Sequence, residues 1–351
     1  MKSWNPLVRF HWRARKPKSE SAPVHPRDVS KSESLDVRDI SPGGFDPELV
    51  AQCQAIMRRH AKSFSRAARF LPERLKEPVA VLYAFCRIAD DAVDTAPSPE
   101  LARAAADQLE HELKNPEVAR PVVRAFAEWS RERPLARAAA RELLYGIAGD
   151  VGAVRVEDDA ELLRYAYRVA GAVGLLMCEV FGVTDPNAYP HAIDLGVAMQ
   201  LTNICRDVAE DATLDRVYLP RQRLAKVGTT PEALVGRTAP ATAVAPVVLD
   251  LLALADHYYA SAERGMVYLP PEARTAILVA SRLYQAIGFE LRLIGGDALR
   301  GRMVVPPAMK AWHVMRALQT AAMIAVDPSS PGPHDARLHL ALSGLPGVAL
   351  R

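Results

Sequence analysis

Residues 193–220 read IDLGVAMQLTNICRDVAEDATLDRVYLP, and two patterns in this stretch decide the fold class. From Ile193 to Leu201 the residues are mostly apolar, so a helix here has to be core. Asn203, Asp207 and Asp211 then fall at i, i+4 and i+8, which on a helix is a single stripe of side-chain oxygens. The carboxylates therefore sit at the polar end of an otherwise buried helix. Residues 85–95, FCRIADDAVDT, repeat the arrangement. Asp90 and Asp94 lie one turn apart on one face, with Asp91 between them and Val81, Leu82, Ala84, Phe85 and Ile88 as apolar flanks. Like charges at that spacing repel, so each pair costs helix stability unless a cation sits between the carboxylates.

The same three- and four-residue apolar spacing recurs along most of the chain. It predicts helices over Pro47–Phe70, Pro78–Thr95, Glu100–Lys114, Val118–Arg131, Leu135–Asp150 and Asp159–Phe181. It predicts four more over Ala188–Glu210, Ala245–Met266, Pro271–Leu293 and Met309–Ala325. Prolines and glycines punctuate them, among them Pro72, Pro97, Pro116, Pro134, Gly182, Pro220, Pro231, Pro270 and Pro306. No run alternates convincingly as a strand. Half of the 351 residues are hydrophobic but only 6% are aromatic, which fits helix better than sheet. The expectation is one all-α domain over 46–325, with a central cavity and a loose, Pro-, Gly- and Ser-rich C-terminal tail over 326–351.

Residues 1–45 differ from the rest. They carry nine Lys and Arg against five Asp and Glu and no apolar period, and read as a disordered basic arm. Within it Trp4, Leu7, Phe10 and Trp12 alternate with Arg9, Arg13 and Arg15, which suits an anionic membrane surface. An unstructured, solvated tail fits the same residues. The arm lacks the apolar core of a secretory signal. No charge-free stretch approaches the ~20 residues of a membrane-spanning helix, so no transmembrane segment is expected. A net charge of +3 gives no argument for nucleic acid. The four cysteines are far apart and without CxxC spacing, which excludes a disulfide scaffold and suits a reducing cytoplasm.

Two acidic stripes facing one another would form a cage of hard oxygen donors, suited to Mg²⁺ bound together with substrate phosphate oxygens. A di-iron site needs Glu-x-x-His pairs, and none of the nine histidines has an acid three residues before it. Arg87, Arg206, Arg216 and Arg302 lie in or near these segments and could meet phosphates. A third stretch, Tyr165 to Met177 (YAYRVAGAVGLLM), places Gly171 and Gly174 inside a helix, each at a cost of up to ~1 kcal/mol against Ala. Close helix packing explains them, and so does a channel for a long apolar ligand beside the cage.

Together these residues resemble the squalene/phytoene synthase family. The resemblance rests on Tyr83…Cys86-Arg87-x-x-Asp90-Asp91-x-x-Asp94, then Tyr165…Val169-Ala170-Gly171-x-Val173-Gly174. It continues in Gly196-x-x-x-Gln200-x-x-Asn203-Ile-x-Arg206-Asp207-x-x-Glu210-Asp211…Arg216-x-Tyr218-x-Pro220. It covers about residues 50–310, and the third motif is long enough to be highly specific. The context of Asp90 and the AERGM stretch at 262–266 are most similar to bacterial phytoene synthases.

That resemblance implies an isoprenoid-synthase helical fold and a prenyl transferase that condenses two geranylgeranyl diphosphates, through prephytoene diphosphate, to phytoene in carotenoid biosynthesis. It implies Mg²⁺ as cofactor, with Mn²⁺ able to substitute, and no ATP or NADPH. It assigns Asp90, Asp94, Asn203, Asp207 and Asp211 to metal binding, with Asp91 as the spare acid. It assigns Ser63, Phe64, Tyr83, Arg87, Gln200, Arg206, Tyr284 and Arg302 to substrate, and Tyr165 to orienting the intermediate. The Tyr284…Arg302 match needs a one-residue insertion near Gly295, so Arg300 is a rival for Arg302. Ala61 and Ala172 depart from common Ser and Thr. Farnesyl diphosphate, giving squalene, dehydrosqualene or hydroxysqualene, is the alternative substrate. Reduction to squalene would need NADPH, and the absence of GxGxxG decides little, since reducing members of the family lack that motif. A non-catalytic assembly relative is a further alternative, which the five intact acids argue against. The insoluble product implies a cytoplasmic enzyme peripheral to the membrane, with a downstream desaturase as partner.

Overall fold

A computed structural model describes residues 45–60, 62–327 and 332–348, with the backbone alone at 62–64. The expected basic arm, apart from Phe45, lies outside the described residues. The long periodic segments form helices: α1 (Pro47–His60), α2 (Lys62–Ala67), α3 (Glu73–Asp94), α4 (Pro99–Lys114), α5 (Pro121–Trp129) and α6 (Pro134–Ala148). They continue as α7 (Asp159–Ala166), α8 (Ala172–Phe181), α9 (Ala188–Ala212), α10 (Arg221–Lys226) and α11 (Pro231–Val235). The last three are α12 (Ala241–Arg264), α13 (Pro271–Leu293) and α14 (Pro307–Val326).

Many of the prolines start helices rather than stop them. Pro99, Pro121, Pro134, Pro231, Pro271 and Pro307 each stand in the first turn, where a missing N–H costs nothing and the fixed φ is already helical. Ser98 and Asp158 cap α4 and α7 through the N–H groups of Leu101 and Glu161. Gly182 closes α8 in the left-handed conformation at φ 68°. Two boundaries differ from the sequence reading. The segment Pro47–Phe70 ends in a 3₁₀ turn at Ala68–Phe70, and α3 begins at Glu73, ahead of Pro78. Pro78 falls in the second turn, where one ladder bond is lost and the buried face still carries the helix.

The core is centred on α9, which packs against α8, α12 and α13. Between α7 and α8 the helix widens into one π-type turn, Tyr167–Gly171. There the two strands of the helical crossing approach closely. A Cβ on Gly174 would stand 2.2 Å from the Ala192 carbonyl oxygen, and one on Gly196 would stand 2.2 Å from that of Ala170. Close packing thus accounts for Gly174, as one of its two readings held. A parallel pair of two-residue strands, β1 (Val154–Arg155) and β2 (Arg216–Val217), follows α6 and α9 and was not expected. Among the described residues, the fourteen helices otherwise make the all-α fold that the spacing predicts.

The C-terminal tail is a correction. Instead of being loose, residues 332–348 lie on the domain, with a 3₁₀ turn at Ala336–Leu342 and Leu342 fully buried. Side chains far away in sequence fasten it. Tyr258 and Tyr167 donate hydroxyl hydrogen bonds to the carbonyls of Leu338 and Pro346 at 2.7 and 2.6 Å. His334 and His339 donate through Nε2 to the two oxygens of Asp194 at 2.8 and 2.9 Å. Composition alone suggested looseness because none of these partners is local. Residues Ala241–Tyr268, covering α12, are long and apolar enough to cross a membrane. Their buried residues, among them Val248, Leu251 and Leu252, instead pack into the core against α9.

Candidate active site

One face of α9 changes character along its length. Ala192, Leu195, Gly196 and Met199 wall an apolar cavity of about 80 Å³. The same helical face then carries Asn203, Asp207 and Asp211, all buried. From Met199 to Asp211 is ~18 Å along the axis. The opposite walls of the cavity come from Val173, Met177 and Phe181 on α8 and from Ile277 and Ala280 on α13. Gly174 also lines it, so the close helix crossing and the channel coexist at that residue.

The second acidic stripe closes α3. Asp90 is buried and Asp94 largely so, while the spare acid Asp91 is turned to Arg87, which donates to it from Nε at 2.8 Å and also from Nη2. Arg216, delivered by β2 just after α9, donates to Asp94 at 3.1 Å, so the strand pair ties the second motif's flank to the first. Arg206 is fully buried and grips Asp207 through two hydrogen bonds of 3.0 and 2.5 Å. Arg302 stands 3.8 Å from Asp207 and 3.5 Å from Glu210. Its rival Arg300 is mostly exposed and bonded to Asp297 instead, which leaves Arg302 beside the acids.

Tyrosines join these groups. Tyr284 lies deep between α9 and α13, its hydroxyl pushed up to about 12 by burial, with Arg206 and Arg302 opposing. Tyr83 on α3 is raised further by burial, against Arg87, and feels Tyr284 and Asp90 as neighbours. The side chains around the two acidic motifs thus share one region. Tyr165 donates to Asp150 at 3.0 Å and stacks on Tyr218, which donates to the other Asp150 oxygen at 2.6 Å. Burial, then the Asp150 charge, raises the Tyr165 hydroxyl well above its ordinary value. Asp150 was not foreseen. It ends a predicted helix without any spacing signal, and only its partner Tyr218 stood in a motif. Gln200 is fully buried one residue past Met199. The side chains of Ser63 and Phe64 lie outside the described residues.

The donor set suits a hard cation. Both side-chain atoms of Asn203 are buried without a hydrogen-bond partner among the described residues. Leaving such atoms unmet costs ~1–3 kcal/mol each, and an external ligand removes that cost. Oxygen donors from Asp90, Asp94, Asp207 and Asp211 flanked by arginines match Mg²⁺ with a phosphorylated ligand. The Asp194–His334–His339 cluster is a different feature. Its three donor atoms lie within 4.8 Å of one another, but its N–O separations are those of hydrogen bonds that hold the tail.

Residues 57–309 match the family described as squalene/phytoene synthase. A phytoene synthase of Rhodobacter capsulatus is 35% identical over 286 residues, 80% of this chain and 84% of that protein. A phytoene synthase of Cereibacter sphaeroides is 37% identical, covering 80% and 81%. Among solved structures, a dehydrosqualene synthase in complex with a ligand superposes with a TM-score of 0.69 at 27% identity, over 79% of this chain and 97% of that one. A squalene synthase from Alicyclobacillus acidocaldarius gives 0.62 at 25% identity, covering 71% and 94%.

Proposed function

Since this chain belongs to the squalene/phytoene synthase family, we propose that it is a phytoene synthase, joining two geranylgeranyl diphosphates head to head. The observation that carries this reading is the single face of α9, apolar along the cavity and acidic beyond it. An isoprenoid diphosphate has the same polarity, a greasy chain ending in phosphates. Asp90, Asp94, Asn203, Asp207 and Asp211 would hold Mg²⁺, with Mn²⁺ as substitute. When bound, the metal supplies charge neutralisation and Lewis-acid assistance to the departing diphosphate.

The chain's own residues do the rest. Arg87, Arg206 and Arg302 offer guanidinium donors to the phosphates. Arg206 is held ready by Asp207, so little reorganisation accompanies loss of the leaving group. Ionisation leaves an allylic cation, which the apolar walls from α8, α9 and α13 keep from water. The second substrate's double bond attacks it, and loss of a proton gives the cyclopropyl intermediate, prephytoene diphosphate. A second ionisation, rearrangement and proton loss yield phytoene, so no reductant is consumed. Tyr83, Gln200 and Tyr284 border the acid-bearing end. Tyr165, fixed between Asp150 and Tyr218, orients the intermediate.

The farnesyl-based alternative draws on the likeness to dehydrosqualene synthase, at lower identity than the phytoene synthases. Incubation with Mg²⁺ and each prenyl diphosphate separately, followed by mass analysis, tests the choice. A C40 hydrocarbon from the C20 substrate is expected. A C30 product alone, or no hydrocarbon, overturns it. The four buried free cysteines suit a cytoplasmic enzyme. An insoluble product would be handed over at a membrane surface, where a desaturase would take phytoene.

A further inference from the structure

Large exposed apolar side chains are concentrated at one corner of the molecule. Of the fourteen among the described residues, Trp312, Met315, Leu318, Met323 and Val326 lie on α14. Val304 precedes that helix, and Phe289 and Leu293 end α13, which packs along it. On α14 the spacing Trp312, Met315, Met323, Val326 follows one helical face, with Ala308, Ala311 and Ala322 filling the gaps and Gln319 among them. The opposite face, with Val314, Ala317, Ala321 and Ile324, packs on Leu278, Val279 and Leu283 of α13. Ile277 and Ala280 of α13, which belong to the same packed cluster, also wall the apolar cavity. The exposed face of α14 is thus one helix away from that cavity.

Its own charge is cationic: over Pro307–Val326, α14 carries Lys310 and Arg316 and no acid, while of the acids at its edge Asp297 is bonded to Arg300 and Glu290 lies on α13. Arg316 lies over the Trp312 ring at 5.3 Å, and Arg66 on α2 stands beside Lys310. A tryptophan set among apolar side chains with cations at the margin is the chemistry of an interfacial helix. A two-fold copy packing α14 on α14 would offer Lys310 and Arg316 no acid from the facing helix, whereas an anionic lipid surface pairs both.

We propose that the outward face of α14, with Val304 and the end of α13, docks flat on an anionic lipid bilayer. This rests on the peripheral-membrane reading and identifies the face that makes contact. Substrate tails and hydrocarbon product then need to pass only beside α13 to move between cavity and lipid.

Flotation of the full chain with phosphatidylglycerol vesicles, and with phosphatidylcholine vesicles, tests this. Binding is expected to the anionic vesicles, weakening with salt. The variant M315E/M323E, which changes two well-exposed residues, is expected to bind at least about tenfold more weakly. Its helical circular dichroism and its turnover in detergent micelles should match the parent. If that variant unfolds, W312S carries the same expectation of weaker binding. Unchanged binding of the variants overturns the proposal. So do absence of parental binding to anionic vesicles and loss of binding on deletion of residues 1–45 alone. Sedimentation showing a lipid-free dimer turned into a monomer would assign the face to a second copy instead. Failure of the phytoene synthase reading shows separately, as missing C40 product in micelles.

Discussion

Asp90 and Asp207 hold matching places in the proposed cage, but their surroundings make them unequal to mutation. Asp207 holds the fully buried Arg206 guanidinium by two hydrogen bonds, whereas Asp90 sits at the end of α3 among Tyr83, Cys86 and Arg87. Asp90→Ala is expected to lower turnover at least about a hundredfold, the scale seen when a transition-state electrostatic group is removed, while the urea midpoint stays near the parent's. Asp207→Ala should lose turnover and also about 3 kcal/mol of stability, because it takes away the carboxylate that compensates a buried cation. Steady-state kinetics and urea unfolding of the two variants distinguish these outcomes. Parental turnover in either variant refutes the cage, and a parental urea midpoint in Asp207→Ala refutes the stabilising role of the Arg206 pair.

At the scale of elements, the crossing of α8 and α9 and the fastening of the tail are the two contacts most exposed to test. A side chain on Gly174 meets the Ala192 backbone, which cannot yield as a flexible side chain would. Gly174→Val is expected to cost about 3 kcal/mol in urea unfolding by overpacking, and an unchanged midpoint would remove the close approach as the reason for glycine. For Asp194, burial pushes the carboxyl up, and the hydrogen bonds from His334 and His339 more than reverse this, so its folded pKa lies below the ordinary 3.8. A depressed carboxylate contributes stability above its unfolded pKa and loses it as pH falls through the folded value. Asp194→Ala should therefore destabilise the protein by about 3 kcal/mol at neutral pH, with the difference from the parent shrinking as pH drops below 3.8. A pH-independent difference would contradict it. These elements also mark where the sequence was and was not legible. The apolar period located the long helices to within a few residues, and the spacing of Asn203, Asp207 and Asp211 placed all three on the buried face of α9. The short α10 and α11 were missed because six and five residues are too few to show a period. The tail was misread because Asp194 meets His334 and His339 across 140 and 145 residues, a pairing that leaves no local trace.

Across the whole molecule, the account depends on one long helix serving two media. The first half of α9 faces an apolar hollow and its second half carries the buried Asn203, Asp207 and Asp211, while α3, β2 and the approach to α14 bring in Asp90, Asp94, Arg216 and Arg302. The family match says that such a chain handles isoprenoid chemistry, and the polarity of α9 sets the direction in which a diphosphate would lie. Crystals grown with Mn²⁺ and a non-reacting C20 thiodiphosphate, read by anomalous scattering, test this most directly. The account predicts manganese peaks bounded by Asp90, Asp94, Asn203, Asp207 and Asp211, with the C20 chain running past Met199 into the cavity. Manganese elsewhere, or a chain lying outside the hollow between α8, α9 and α13, would contradict it.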